Sequence, residues 1–312
     1  MLSMGPLYLI LLIFSFSIFS QEDIKSYQSS RRDCFELKNA SKQWFEWRTF
    51  KRGHQNFSVV LDPYKLITRI MPSSELSCVS LEQFPPSPYK KLLESSSSAP
   101  YPVQNDGIVS LSKNQGYYLT LDLCPNLGSG LDYKIFEKLN ELYLKDKKAI
   151  PVGIAISGQW IEKNIPHLEK IKKMHDDGVL DITWINHTDH HYYNPDLSTE
   201  NNFLIARAWT LQKEVFGLEK RLIKNGLTPS IFFRFPGLVS NEVLINSVIS
   251  LSLIPLGTNA WIAKKQDPAL GDLVLVHANG NEPYGIKRIS KWLSSPKSKK
   301  KFLSLEKDIL LE

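Results

Sequence analysis

From Gly116 onward, short apolar runs alternate with longer stretches of helical period, and this alternation limits the fold more than any other feature. Tyr117–Leu123 reads as a strand, followed by a helix over Asp132–Lys148 with Ile135, Phe136, Leu139, Leu142 and Tyr143 on one face. Ile150–Ile156 is a strand, Ile161–Asp177 a helix stopped by Gly178, and Val179–Ile185 a strand. A long helix over Thr199–Asn225, closed by Gly226, precedes the strand Ser230–Phe233, the helix Asn241–Ser252 and the strand Leu253–Leu256. The strand Leu273–Val276 and the helix Glu282–Leu293 complete the pattern. Strands that alternate with helices imply an α/β fold on a parallel sheet, open or closed into a barrel. In such folds chemistry gathers at the C-terminal ends of the strands.

The remainder of the chain has other characters. Leu7–Phe19 is a continuous apolar stretch followed by Ser20-Gln21-Glu22-Asp23, too short for a comfortable membrane span. It reads as a signal-peptide core in 1–20 despite an n-region without Lys or Arg, and so implies export to a periplasm or the exterior. An uncleaved anchor, and with it membrane attachment, is the second reading. Residues 21–113 read as a small irregular module containing strand-like pieces such as Phe57–Leu61, and the Ser/Pro cluster Glu94–Pro100 reads as linker. Residues 296–312 are a basic tail around Lys297–Lys301, expected to be solvated and disordered. That run holds part of the net charge of +6, and a solvated tail argues against a nucleic-acid partner. With 42% hydrophobic residues the chain can form a substantial core. Three cysteines, none in a Cys-x-x-Cys pair, argue against a thiolate metal site. Cys34 and Cys78 can pair after export, which leaves Cys124 free. Asn39, Asn56 and Asn186 head glycosylation sequons.

The polar residues at the strand ends are the informative ones. Asp122 lies near the end of the first strand of the alternating region. His187 and His191 follow the third, four residues apart, a spacing that on one helical turn lets both imidazoles reach one divalent metal, zinc first among them. Arg234 ends the next strand and Pro236 follows it; Asn259 and Trp261 come after Leu253–Leu256, and His277 ends the last strand. Each has an ordinary structural explanation, but together they deliver an acid, a base and two imidazoles to one rim, the makeup of a hydrolytic site.

On these residues, positions 114–295 resemble the polysaccharide deacetylases of the NodB-homology type, carbohydrate esterase family four. Thr120-Leu121-Asp122-Leu123-Cys124-Pro125 is similar to the family's first motif, Thr-Phe-Asp-Asp-Gly-Pro, and His187-Thr188-Asp189-His190-His191 matches its second, His-[Ser/Thr]-x-x-His. Arg234-Phe235-Pro236 matches Arg-x-Pro, Asn259-Ala260-Trp261 is a poor match to Asp-x-Trp, and Leu273–His277 matches the apolar strand ending in His. The resemblance implies a deformed (β/α) barrel and metal-assisted removal of N-acetyl or O-acetyl groups from a polysaccharide such as peptidoglycan, a chitin-like polymer or an exopolysaccharide. It further implies that His187 and His191 hold the metal, Asp122 is the base, His277 the acid, Arg234 the residue that aims Asp122, and Trp261 and Pro236 part of the sugar site.

Two positions depart from the pattern. Leu123 stands where the family has its second aspartate, the usual third metal ligand, and leucine cannot coordinate. Asp189, at i+2, points away from the histidine face; Asn126 or a distant side chain is left as a candidate, and Cys124 reads as a small residue beside the site, with a metal-ligand role as its lesser alternative. Without the fourth-motif aspartate, His277 is expected near an unperturbed pKa of about 6.5. The alternatives to an active deacetylase are a carbohydrate-binding pseudoenzyme on the same barrel and a metal-independent amidohydrolase.

Overall fold

The computed structural model describes residues 23–111, 114–126, 128, 130–295 and 301–309. The stretch expected to be a signal peptide and the Lys297–Lys300 run lie outside them. Two sheets organise the chain. Ile24–Glu36 (β1), Asn39–Arg52 (β2), Gln55–Leu61 (β3), Thr68–Pro72 (β4) and Leu76–Ser80 (β5) form an antiparallel sheet in the order β4-β3-β2-β1-β5. Cys34 faces Cys78 across the β1–β5 ladder, and the two form a disulfide. The short helix Pro88–Ser95 (α1) follows, with Ser87 capping its N-terminus.

The second sheet is built from Tyr118–Leu123 (β6), Tyr133–Asp146 (α2), Ile150–Ile156 (β7), Gly158–Lys163 (α3), Ile165–Asp176 (α4), Leu180–Asn186 (β8), Leu211–Lys224 (α5), Phe232–Phe233 (β9), Glu242–Ser250 (α6), Ile254–Pro255 (β10), Ala260–Trp261 (β11), Leu273–His277 (β12) and Pro283–Ser294 (α7). Its strands are parallel and run in the order β10-β9-β8-β7-β6-β12-β11. All six residues of β6 are buried, as a parallel strand covered on both faces requires. The α/β expectation therefore holds: a curved parallel half-barrel wrapped by helices. The gap between its edges is spanned by main-chain bonds from the segment before β6: Ile108 N–H to Pro255 O (3.0 Å), Gly257 N–H to Ile108 O (2.9 Å) and Leu273 N–H to Val109 O (3.0 Å).

Four details differ from the sequence-based expectations. The first half of the N-terminal region is an ordered sheet, not a set of strand-like pieces, because the long β1 and β2 pair along most of their length, with bulges, despite the Ser/Pro punctuation downstream. That sheet is also continuous with the barrel: Phe45, Trp47, Phe50, Val59 and Leu61 share one core with Ile185, Phe232, Phe233 and Ile254. Second, the helix expected over Thr199–Asn225 starts only at Leu211, since Arg207 (φ −140°, ψ 39°) breaks the preceding turns. Third, the helix expected over Ile161–Asp177 is divided at Asn164, where Pro166 removes an N–H and starts a new helix. Fourth, the C-terminal tail is not wholly solvated. Tyr117 pairs with Phe302, and Leu303 and Leu305 are buried, because apolar side chains recur just past the lysine run. Among the described residues no helix is long and apolar enough to cross a membrane.

Candidate active site

Strand register builds the site. Asp122 pairs with His277 across β6–β12 and with Ala155 across β6–β7, while Asn186 at the end of β8 pairs with Phe233 of β9. The C-terminal ends of these strands are thus level, and the residues that end or follow them, Asp122, His187, Arg234 and His277, meet at one rim. Side chains two apart on a strand share a face. Leu119, Leu121 and Leu123 pack into the helix-side core, whereas Thr120 and Asp122 turn towards Arg234 on the other face. Leu123 is fully buried in that core, so it is held away from the site by its position in the pleat as well as by its chemistry.

Arg234 is completely buried and fixes the floor. Its Nη1 donates to Asp122 Oδ1 (2.6 Å) and Thr120 Oγ1 (2.7 Å), and its Nη2 donates to the Gly257 carbonyl (3.0 Å). A planar guanidinium with several fixed acceptors holds the carboxylate in one orientation. The other carboxylate oxygen, Oδ2, lies 3.9 Å from His187 Nε2.

His187 and His191 do come together, but not on a helical turn. Residues 187–191 form a loop in which Thr188 (φ 68°) and His191 (φ 48°) are left-handed, and the two rings lie 4.8 Å apart edge to face. A left-handed loop, and not i, i+4 spacing on a helical turn, brings the two rings together. The loop is pinned from several sides: Thr188 N–H donates to Asn186 Oδ1 (3.0 Å) and His191 N–H to Thr188 Oγ1 (3.1 Å). Asp189 points away from the pair, as expected, accepting from Arg221 Nε at 2.5 Å. Its carboxylate is packed so tightly that a Cβ at Gly158 would sit 1.8 Å from Oδ1 and one at Gly217 2.8 Å from Oδ2. Asn186 is buried and its amide donates to Val215 O, so in the fold it is no glycan acceptor.

The donors suit a metal. His187 Nδ1 donates to the Arg234 carbonyl (2.8 Å), which fixes the tautomer and leaves Nε2 as the free donor. His191 Nε2 is a buried nitrogen with no hydrogen-bond partner. Cys124 Sγ lies 3.4 Å from His187 Nε2, and the ligand atoms of Cys124, His187 and His191 all fall within 4.8 Å of one another. Two imidazole nitrogens and a sulfur form a donor set that zinc accepts. Of the two readings of Cys124, small neighbour or ligand, the sulfur's place among these donors suits the second: just past β6, it continues the face of Thr120 and Asp122. Asn126, the other candidate, donates its amide to the Asn279 carbonyl.

His277 has a partner that the motif comparison missed. Its Nδ1 donates to Glu282 Oε2 (2.9 Å), and Trp261 Nε1 donates to the same carboxylate at 3.0 Å. Glu282 stands at the N-terminal end of α7 and occupies the role expected of a fourth-motif aspartate. Asn259 instead lies beside Leu273 at the start of β12 and bonds Asp272 (2.8 Å), away from the rim. Trp261 is half-buried with its ring 5.8 Å from that of His277, whereas Pro236 is buried. The Asp122, Cys124 and His277 ligand atoms also lie within 4.8 Å of one another.

The charges in this cluster shift one another. Burial pushes the His277 imidazolium down, but Cys124, Glu282 and Asp122 outweigh it and hold His277 well above the ordinary value, which overturns the expectation of an unperturbed histidine. Burial pushes the Cys124 thiol up, and the His191, His187 and His277 imidazoles reverse this and place it well below the usual range. His187 is raised in the same way, burial being outweighed first by Cys124 and then by Asp122.

No protein-family model matches the chain. Among solved structures it is similar in fold to a family 4 carbohydrate esterase from Bacillus anthracis, with 18% identity and a TM-score of 0.42 over 72% of this chain and 92% of that one. It is similar to the chitin deacetylase of Colletotrichum lindemuthianum, with 16% identity and a TM-score of 0.41 over 64% of this chain and 88% of that one. It is also similar to BA3943 of Bacillus anthracis, a family 4 pseudoenzyme, with 11% identity and a TM-score of 0.36 over 58% of this chain and 62% of that one.

Proposed function

We propose that this protein is an exported hydrolase that removes N-acetyl groups from a polysaccharide with the help of a divalent metal. The observation that carries the reading is the level placement of Asp122 and His277 on neighbouring strands, facing the His187–His191 pair. The substrate class rests on the motif resemblance, and the half-buried Trp261 beside His277 suits the apolar face of a sugar ring. The apolar run at 7–19 and the Cys34–Cys78 disulfide support export.

His187 and His191 would hold a divalent ion, zinc by donor type, which would supply Lewis acidity towards a carbonyl oxygen and a water. Asp122, held by Arg234 on one oxygen, takes the proton of the attacking water on the other. His277 enters protonated and gives its proton to the departing amine; Glu282 fixes its tautomer by accepting from Nδ1, which directs Nε2 to the reaction. Arg234 and Glu282 are positioning residues, acting through Asp122 and His277.

The test is acetate release from chitin oligomers, peptidoglycan and exopolysaccharide by the mature, zinc-loaded protein. Asp122→Asn is expected to lower turnover by roughly 10²- to 10⁴-fold, with the fold intact by circular dichroism. Failure of the wild-type protein to release acetate from every glycan would sink the deacetylase reading. Turnover that survives exhaustive chelation would remove the metal from it.

A further inference from the structure

The Leu123 position removes the oxygen donor that the motif resemblance assigns to the metal, yet the pleat offers a replacement one residue on. Thr120 and Asp122 face the site, Leu121 and Leu123 face the helices, and the next residue on the site face is Cys124. Its sulfur is buried, 3.4 Å from His187 Nε2, and grouped with both histidine donors within 4.8 Å. Cys34 and Cys78 are joined to each other, so Cys124 is the free thiol. The His187 tautomer is fixed by the Arg234 carbonyl with Nε2 left open, and His191 Nε2 is buried without a partner. Three donor atoms therefore converge, and neither imidazole offers its donor atom to another protein hydrogen bond that would compete with an ion except the contact to Cys124 itself.

We propose that Cys124 is the third metal ligand, so that the site is a Cys-His-His centre. This deepens the function proposed above and rests on its metal site. Binding forms a sulfur–metal bond and a nitrogen–metal bond, and the proton held between the Cys124 sulfur and His187 Nε2 leaves to solvent. A thiolate in place of a carboxylate makes the site softer: it favours zinc and cobalt over magnesium or manganese, which prefer oxygen donors. It also leaves Asp122 out of the ligand set, free to act as a base with Arg234 at its other oxygen.

Metal binding tests this without recourse to turnover. The full-length mature protein, stripped of metal, is titrated with Co²⁺. One equivalent is expected to bind and to produce a near-ultraviolet thiolate-to-cobalt charge-transfer band. Cys124→Ser, nearly isosteric, is expected to lose the band and to bind Co²⁺ or Zn²⁺ at least as many fold more weakly as loss of an outer-shell partner costs, roughly 10- to 100-fold. Cys124→Asp should restore affinity without the band, which separates a lost ligand from a damaged fold. If the wild-type protein binds one cobalt with no charge-transfer band, or Cys124→Ser binds zinc as tightly as wild type, the thiolate ligand is refuted while a histidine-held metal stands. If His187→Ala and His191→Ala leave binding unchanged, or the wild-type protein binds no metal, the metal site of the proposed function falls as well.

Discussion

The N-terminal sheet is tied to the barrel by a buried ion pair, and breaking one side of it should unfold both together. Arg48 on β2 and Glu219 on α5 are each fully buried. Arg48 Nε and Nη2 donate to the two Glu219 oxygens at 2.9 and 3.2 Å, and Tyr27 on β1 adds a third donor at 2.8 Å. Glu219→Leu strands the guanidinium in an apolar wall, where it lies over the rings of Trp47 and Phe216. Removing one partner of such a pair costs about 3–5 kcal/mol, since an uncompensated charge stays buried. For a domain of this size each kcal/mol is worth roughly 2–4 °C, so the midpoint should fall by about 6–20 °C. The double variant Arg48→Met/Glu219→Leu should recover most of that loss, because the desolvation penalty disappears with the charge. Calorimetry reads both numbers and the number of transitions. A loss below about 1 kcal/mol in Glu219→Leu, or a separate early transition for the N-terminal sheet in wild type, would refute the claim that one core spans both sheets.

Two further outcomes concern titrating groups. Because burial is outweighed by the charges around it, His277 stays protonated to higher pH than an ordinary imidazole, so an acid role predicts activity that falls as pH rises through its raised pKa. Glu282→Gln removes one source of that shift, and the falling limb of the kcat/KM profile should move to lower pH; an unmoved limb would show that Glu282 does not act through His277. In the docked tail, Glu306 is pushed up to about 8, first by burial and then by Asp181, with Lys307 opposing. Its folded-state pKa exceeds the unfolded value, so its contribution to stability is whole below about 4.5 and is lost as pH rises through about 8. Thermal midpoints of wild type should therefore decline over that window relative to Glu306→Gln, and parallel curves would contradict the half-buried placement beside Asp181.

The parallel sheet was legible because its strands are buried on both faces and read as apolar runs between helices of distinct period. The same reasoning could not see where main-chain breaks fall. The region 199–210 keeps a helical composition, yet Arg207 leaves helical φ/ψ and the helix begins only at Leu211. The antiparallel N-terminal sheet was largely illegible for another reason. Its alternation is partly hidden by charged residues that pair in the fold, such as Arg32 and Arg48 with Glu46 and Glu219, so apolar period alone undercounts its buried face. Burial of a charged residue depends on a partner 171 positions away, which no local window contains.

At the site, the residues named from strand ends are ones the fold brings to one rim, whereas Glu282, defined by its bond to His277, is not among them. Asp122, His187, His191, Arg234 and His277 stand at or beside the C-terminal ends of strands, so sequence order alone brings them together. Glu282 was overlooked because it lies on a helix start five residues beyond His277, where its local reading is an ordinary acidic residue near a helix N-terminus. Cys124 carries a visible signal in the period of the strand. In a strand, period two links positions 120, 122 and 124, which puts Cys124 on the face of Asp122 while Leu123 faces the helices. A motif compared letter by letter registers Leu123 as a missing donor. A motif compared on the pleat registers a sulfur displaced by one residue onto the face that already carries Asp122, 3.4 Å from the first histidine.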